Sequence, residues 1–269
     1  MCLGADDAFM SDDPNGDVSG RTINAVETSF MIIEFLNERG GAGVSELARE
    51  LQYSKSTIHS HLRTLKQCGY VLQDGNEYRP SLRFLDVSEN LREHHLDVYD
   101  SSKAELRRIA EESGECAWLM VEERGKGVFI NAIRGSEAAV ITNIRLGKPY
   151  HLHGFAAGKA ILAALPRERV TEIIDAHGLP GFTDGTITNR ERLFDVLDRI
   201  EEEGVAFSQG ETTPGIRAVG ASIRGVDGDV LGGVGISGPK TRMRDEWYHE
   251  TAVELVTNAA NLIEIDVAY

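Results

Sequence analysis

Lysine and cysteine are both scarce in this 269-residue chain, with seven and three copies. Cys2, Cys68 and Cys116 are too few for a disulfide framework and too scattered for a CxxC metal or redox pair. Long apolar runs are also missing. Glu, Arg or Gly interrupts each one before the roughly 18 residues that a membrane span needs. Met1–Gly20 has no basic residue and no apolar core, so it does not read as a secretory signal. These absences point to a cytoplasmic protein of one large or two ordinary domains, with no membrane partner.

What the chain has in excess is acid. Asp and Glu number 43 against 28 Lys and Arg, for a net charge of −15, and 21 of the basic residues are Arg. A carboxylate-rich, Lys-poor surface suits a protein kept soluble in concentrated salt, so a halophilic origin is expected. The charge is unevenly spread. Residues 1–20 carry five Asp and no hydrophobic periodicity, which reads as a disordered acidic tail. Residues 21–85 carry eight basic and seven acidic residues, and the remainder is acidic again. Only the near-neutral segment offers a phosphate backbone a place to land.

Residues 21–84 read as a winged helix-turn-helix. Ile23, Val26, Phe30, Ile33 and Leu36 recur at helical spacing, and Gly40 stops that helix. Ser45 is a candidate N-cap for a short second helix burying Leu47, Ala48 and Leu51. Ser54 caps a third helix with Ile58, Leu62 and Leu65 on one face and Gly69 at its end. Asp74-Gly75-Asn76 then signals a hairpin turn. At about 100° per residue, Ser56, Ser60, Arg63 and Gln67 oppose the apolar face, with His59 beside them. Hydroxyls, an amide, an imidazole and a guanidinium there suit base edges. Lys55, Arg79 and Arg83 suit phosphates. Lys55, Ser56, Thr57, His59, Ser60, Arg63 and Arg79 are therefore the expected DNA-contacting set.

These motifs carry a resemblance. Leu47-Ala48, Ser54 to His59, Leu62-Arg63-Thr64-Leu65 and Gly69-Tyr70-Val71 look like the DNA-binding domain of the IclR family of transcriptional regulators. Leu152-His153, Gly158 to Ala163, Thr186-Ile187-Thr188, Glu211, Gly215 to Val219 and Ile236 to Pro239 resemble the same family's effector domain. The likeness spans roughly residues 21 to 265. One departure is Ser60, where the family often has Arg. The resemblance implies a ligand-responsive regulator of catabolic genes, not an enzyme. It would be a homodimer or homotetramer on a double-stranded DNA operator, with a small-molecule effector and no cofactor or metal.

The rest of the chain reads as a linker helix over 85–100 and a domain over 101–269. Leu85, Leu91 and Leu96 are available for packing, and Ser102 with Glu105 makes a capping box. Strands are expected near 116–121, 128–133, 140–145, 205–208, 217–225 and 230–237. Helices are expected from Phe155, from Glu168, from a Thr188–Glu191 cap to Gly204, and over 245–265. The whole is an α+β chain whose second domain is α/β with a largely antiparallel sheet, GAF-like by resemblance. In the resembling family, amides matching Ala156 and Ala157 hold a small carboxylate, and the facing side chains map onto Ser208, Ala218, Gly235 and Ser237. Only the two serines keep a hydroxyl, so a small organic or sugar acid is expected, different from that of better-known members.

Rival signals are weaker. Gly233 to Gly238 matches GxGxxG, but Pro239 follows and no βαβ unit develops. His151 and His153 would share one strand face, yet a metal needs a third ligand from Cys116 or His177. Cys116 sits in an apolar stretch that favours packing over redox chemistry. Lys159 invites a Schiff base, but an exposed or N-terminal-turn Lys is the simpler reading. The alternative function is a small-molecule enzyme or a redox or metal sensor built on the second domain.

Overall fold

The computed structural model describes residues 22–95, 97–138 and 144–269. The acidic tail over 1–20 and most of the strand expected over 140–145 lie outside the described residues. The chain divides into two compact units, within Asp17–His95 and within Leu96–Tyr269.

The first unit runs α1 (Asn24–Arg39), β1 (Ala42–Gly43), α2 (Val44–Glu50), α3 (Lys55–Gln67), β2 (Val71–Asp74), β3 (Glu77–Pro80) and α4 (Arg83–His95). Gly40 ends α1 in the left-handed region at φ 78°, as its position suggests. Ser54 accepts from the Thr57 amide at 3.1 Å and caps α3. Ser45 is not a cap. Gly43 holds that position in extended backbone without a side-chain bond, which leaves Ser45 inside α2. Gly43 is extended because it belongs to β1, a two-residue strand absent from the sequence reading, which pairs with β3. The apolar stripe of α1 is also rotated from expectation. Thr28, Ile32 and Leu36 face the core, whereas Ile23, Val26 and Phe30 are exposed. Ile32 and Leu36 join Leu47, Ile58, Leu62, Val71 and Tyr78 in the core of this unit.

The second unit begins with α5 (Asp97–Ser113) and the hairpin of β4 (Cys116–Glu123) and β5 (Lys126–Arg134). Next come β6 (Pro149–Tyr150), a 3-10 turn at Leu152–Gly154, α6 (Ala156–Ala164), α7 (Arg167–His177) and α8 (Arg190–Glu203). The unit ends with β7 (Ala206–Gln209), β8 (Ile216–Arg224), β9 (Val230–Pro239), α9 (Asp245–His249) and α10 (Thr251–Ala268). Among the described residues six strands form one sheet in the order β6-β5-β4-β9-β8-β7, each pairing antiparallel. Side chains alternate across it. Leu119, Val219, Val234 and Ile236 pack with α5 and α10, while Trp118, Met120 and Phe129 pack with α6, α7 and α8.

Three boundaries differ from the sequence reading. One helix ends at His95 and the next starts at Asp97, so no single described helix covers 85–100, and Leu96 is outside the described residues. Ser102 lies within α5, fully buried, and donates to the Tyr99 carbonyl at 2.8 Å instead of capping. Asn189, not Thr188, caps α8 by accepting from the Arg192 amide at 2.9 Å.

Candidate functional site

Two sites emerge, one in each unit. In the first, α3 presents Lys55, Ser56, His59, Ser60 and Arg63 to solvent, and Arg79 is exposed on β3 of the wing. Thr57 is half-buried because its hydroxyl lies 2.8 Å from that of Ser54, and Ser56 lies equally close to Ser54. Both hydroxyls therefore serve the helix cap as well as the outward face. Ser60 donates back to the Ser56 carbonyl at 3.0 Å, which leaves its oxygen as an acceptor. Lys66 donates to Gln73 at 2.9 Å and ties α3 to the wing. Arg83 is not a free phosphate contact. It donates to the Cys68 carbonyl at the end of α3 and stacks on Tyr70.

In the second unit, strand register creates a pocket. Ser208 pairs with Ala218, Ala218 with Ser237, and Ser237 with Cys116, so these four occupy one row across the sheet. The next row on the same face is Ala206, Gly220, Gly235 and Trp118. Gly220 in this row and Gly233 in the row beyond let the first turn of α6 lie against the sheet. A Cβ on Gly220 would stand 2.5 Å from the Ala157 nitrogen, and one on Gly233 would stand 2.7 Å from the Ala157 carbonyl. The GxGxxG-like run is thus a seat for α6, not a nucleotide loop.

Between the first row and the α6 N-terminus lies a mostly apolar pocket. Ala156, Ala157, Ser208, Ala218, Gly235 and Ser237 all line it. Phe155 precedes α6 in extended backbone, so the amides of Ala156 and Ala157 open the helix with no partner inside it. They carry the positive end of the helix dipole. Ser208 is buried, lines the cavity, and its hydroxyl has no hydrogen-bond partner among the described residues. Ser237 accepts from the Trp118 indole at 2.7 Å, which aims its own proton elsewhere. Tyr248, fully buried behind the sheet, shares its proton between the Ser208 and Ala218 carbonyls at 3.0 and 3.2 Å. It holds that row in place from the far side.

Sequence reasoning missed the aromatic floor of Trp118, Phe129 and Phe155 and the rim of Glu211, Thr212 and Thr213. The floor residues read only as generic core. Lys159 stands at the start of α6 but is fully buried, not exposed, and donates to both Glu211 carboxylate oxygens at 2.5 Å. Burial pushes the Lys159 ammonium below its ordinary range and the Glu211 carboxyl above its own, while their mutual attraction opposes both shifts. The signal was Glu211 itself, an acid in a Gly-Glu-Thr-Thr-Pro-Gly loop. Burial raises the Cys116 thiol, which disfavours the thiolate that redox chemistry needs. Among the described residues no group of three metal-ligating side chains forms, and no helix is long and apolar enough to cross a membrane.

Comparison with known proteins follows this division. The family description "IclR helix-turn-helix domain" matches residues 25–75, and "Bacterial transcriptional regulator IclR C-terminal" matches residues 92–265. The probable HTH-type transcriptional regulator ArcR of Halobacterium salinarum is 33% identical over 248 residues, covering 91% of this chain and 94% of its own. The regulator KdgR of Escherichia coli is 28% identical over 250 residues, covering 92% and 94%. The crystal structure of the Thermotoga maritima IclR superposes with a TM-score of 0.79 at 28% identity, covering 92% of this chain and all of that one.

Proposed function

Because the chain belongs to the IclR family of transcriptional regulators, and is a DNA-binding regulator rather than an enzyme, we propose that it controls catabolic genes in response to a small organic or sugar acid. The ligand carboxylate is held by the Ala156 and Ala157 amides. The observation that carries this reading is the Ser208 side chain, which lines the same pocket as Ala156 and Ala157 and has no hydrogen-bond partner among the described residues. A helix start supplies donors for an anion, Ser208 supplies a second polar contact, and the aromatic floor accepts the carbon skeleton. Ala218 and Gly235 add no polar group, which leaves space for a bulkier acid.

On the DNA side, α3 enters the major groove. Arg63, His59, Ser60 and Ser56 read bases, while Lys55, Thr57 and Arg79 position the backbone. Half-sites related by a two-fold axis require a homodimer or homotetramer. The exposed apolar side chains of α1 and of Leu82, Leu85 and Leu91 support association through this unit. The acidic, Lys-poor composition supports a cytoplasm of concentrated salt. Base contacts and bound water then carry more of the affinity than counterion release does.

Calorimetric titration with a panel of short 2-oxo, hydroxy and aldonic acids tests the pocket. Phe155 has φ −117° and ψ 145°, a conformation compatible with a following proline. Ala156→Pro therefore removes one donor at the helix position that best accepts proline. Ser208→Val removes the hydroxyl and fills space. Both variants should weaken the acid that binds the parent chain at least tenfold. Unchanged affinity in both places the ligand elsewhere.

A further inference from the structure

The last carbonyls of a helix have no partners inside it. At the end of α3, the carbonyls of Cys68, its C-cap, and of Gly69, the next residue, are met from the entry of α4. Arg83 donates from Nη1 to the Cys68 carbonyl at 2.8 Å, and its guanidinium lies over the Tyr70 ring at 4.9 Å. The buried Ser81 hydroxyl donates to the Gly69 carbonyl at 2.6 Å and accepts from the Arg83 amide at 3.2 Å. The Ser81 amide donates to the Tyr70 carbonyl at 2.9 Å, and the Phe84 and Tyr70 rings pack 5.1 Å apart. Gly69 turns the chain at φ 82°, and a Cβ on it would stand 3.2 Å from Nη1 of Arg83. That glycine therefore ends α3 and also admits the guanidinium.

One hydroxyl and one guanidinium thus tie the exit of α3 to the entry of α4. The guanidinium also brings positive charge to the negative end of the α3 dipole. Farther along α4, Leu85, Val87 and Leu91 are exposed, which leaves the start of the helix to fix its direction within this unit. The same helix leads toward the second unit, ending at His95, two residues before α5 begins.

We propose that Arg83 and Ser81 are positioning residues for operator recognition, which make α3 and α4 turn as one body. Arg83 then acts through the aim of the recognition helix and not through a phosphate. The inference rests on the reading of α3 as the helix that meets bases. A phosphate contact acts on any duplex, and each one lost lowers the salt slope by about 0.9. A misaimed helix loses base contacts and keeps its backbone charges, so only the preferred sequence suffers. Lysine in place of Arg83 carries the charge but lacks the planar fork that both bonds and stacks, so conserving charge does not restore aim. Linkage is reciprocal, so DNA that orders α3 also orders the start of α4.

The probes are a duplex that the full-length parent selects from a random library and mixed-sequence DNA of equal length, each over a salt series. Arg83→Lys should bind the selected duplex about tenfold more weakly, the size of one lost base contact. On mixed DNA it should change by less than about twofold and keep the parent's salt slope. Ser81→Ala, which alters no charge, should show the same pattern at about threefold. Amide exchange gives a second readout. In the parent, the selected duplex should slow exchange over residues 84–87 as well as along α3; in Arg83→Lys the slowing should stop at α3. Amides of Ile32 and Leu47 check that each variant stays folded, and where one does not, the parent's own exchange decides. Arg63→Ala separates this inference from the reading beneath it. An unchanged ratio of selected to mixed affinity in Arg63→Ala overturns both. A lowered ratio there with a parent-like Arg83→Lys overturns this inference alone. So does equal weakening of Arg83→Lys on both DNAs, or a parent in which residues 84–87 exchange alike with and without the duplex.

Discussion

Lys159→Met would leave the Glu211 carboxylate buried without its cation. Stranding one member of a buried ion pair costs about 3–5 kcal/mol, a large share of a domain's roughly 5–15 kcal/mol. This pair belongs in the upper part of that range. The ammonium meets both carboxylate oxygens at 2.5 Å, and the two side chains are 1% and 10% exposed. The loop that carries Glu211 cannot easily swing out to water, because Thr186 and Thr183 donate to its backbone carbonyl at 2.5 and 3.2 Å. Glu211→Leu should cost a similar amount by stranding the ammonium. The double variant, Lys159→Met with Glu211→Leu, buries no unpaired charge and should lose less than either single one. Both tryptophans, Trp118 and Trp247, lie in this unit and report its unfolding. Urea midpoints at constant slope give the three free energies. A loss below about 1 kcal/mol in Lys159→Met, typical of a surface pair, would refute the reasoning. So would a double variant that loses the sum of the two singles.

Gly158→Ala should destabilise the second unit by about 1–3 kcal/mol, because the added Cβ would stand 2.2 Å from the Leu152 carbonyl. Thermal unfolding checks this, and a gain from the higher helix propensity of Ala would contradict it. Arg63→Ala should weaken the preferred operator more than random DNA, whereas Lys55→Ala should weaken both alike; a salt-controlled shift assay separates the two. Burial pushes His151 and His153 down to about 3 and about 4 from an ordinary value near 6.5. Between those limits the unfolded chain binds protons that the folded one does not, so stability should decline as pH falls below 6.5. The slope is at most about 1.4 kcal/mol per pH unit per histidine. Urea unfolding of the parent and of His151→Gln measures it, and equal slopes would show that His151 is not the source.

Local signals predicted well where chemistry and backbone act together. Ser54 and Gly40 were readable as helix boundaries because each satisfies or terminates a helix by its own structure. Ser45 and Ser102 misled because the same hydroxyl also serves inside a helix, where it bonds backwards or faces solvent. The exposure of Ile23, Val26 and Phe30 was illegible for another reason. Periodicity shows that a helix has an apolar side, not which neighbour covers it. The cavity was half legible. Small residues at 156, 157, 218 and 235 stand out in the chain, whereas Trp118, Phe129 and Glu211 arrive through strand pairing and a loop. The 3.1 Å approach of the Lys126 ammonium to the His151 imidazole is purely a matter of register, since 25 residues separate the two in sequence.

The two neighbouring rows of the sheet divide responsibilities in a way that bears on how such a regulator diversifies. Ala206, Gly220 and Gly235 are committed to architecture: a larger side chain at 220 runs into the α6 backbone, and one at 235 into the Val219 carbonyl at 2.6 Å. Ser208, Ala218 and Ser237 line the cavity, and Ser237 also accepts from the Trp118 indole. If the proposed ligand site is right, exchange at those three positions should rewrite ligand preference while the helix stays seated. A combinatorial library confined to residues 208, 218 and 237 should therefore yield folded sensors of altered selectivity at high frequency, and one that randomises 220 and 235 should yield mostly insoluble protein.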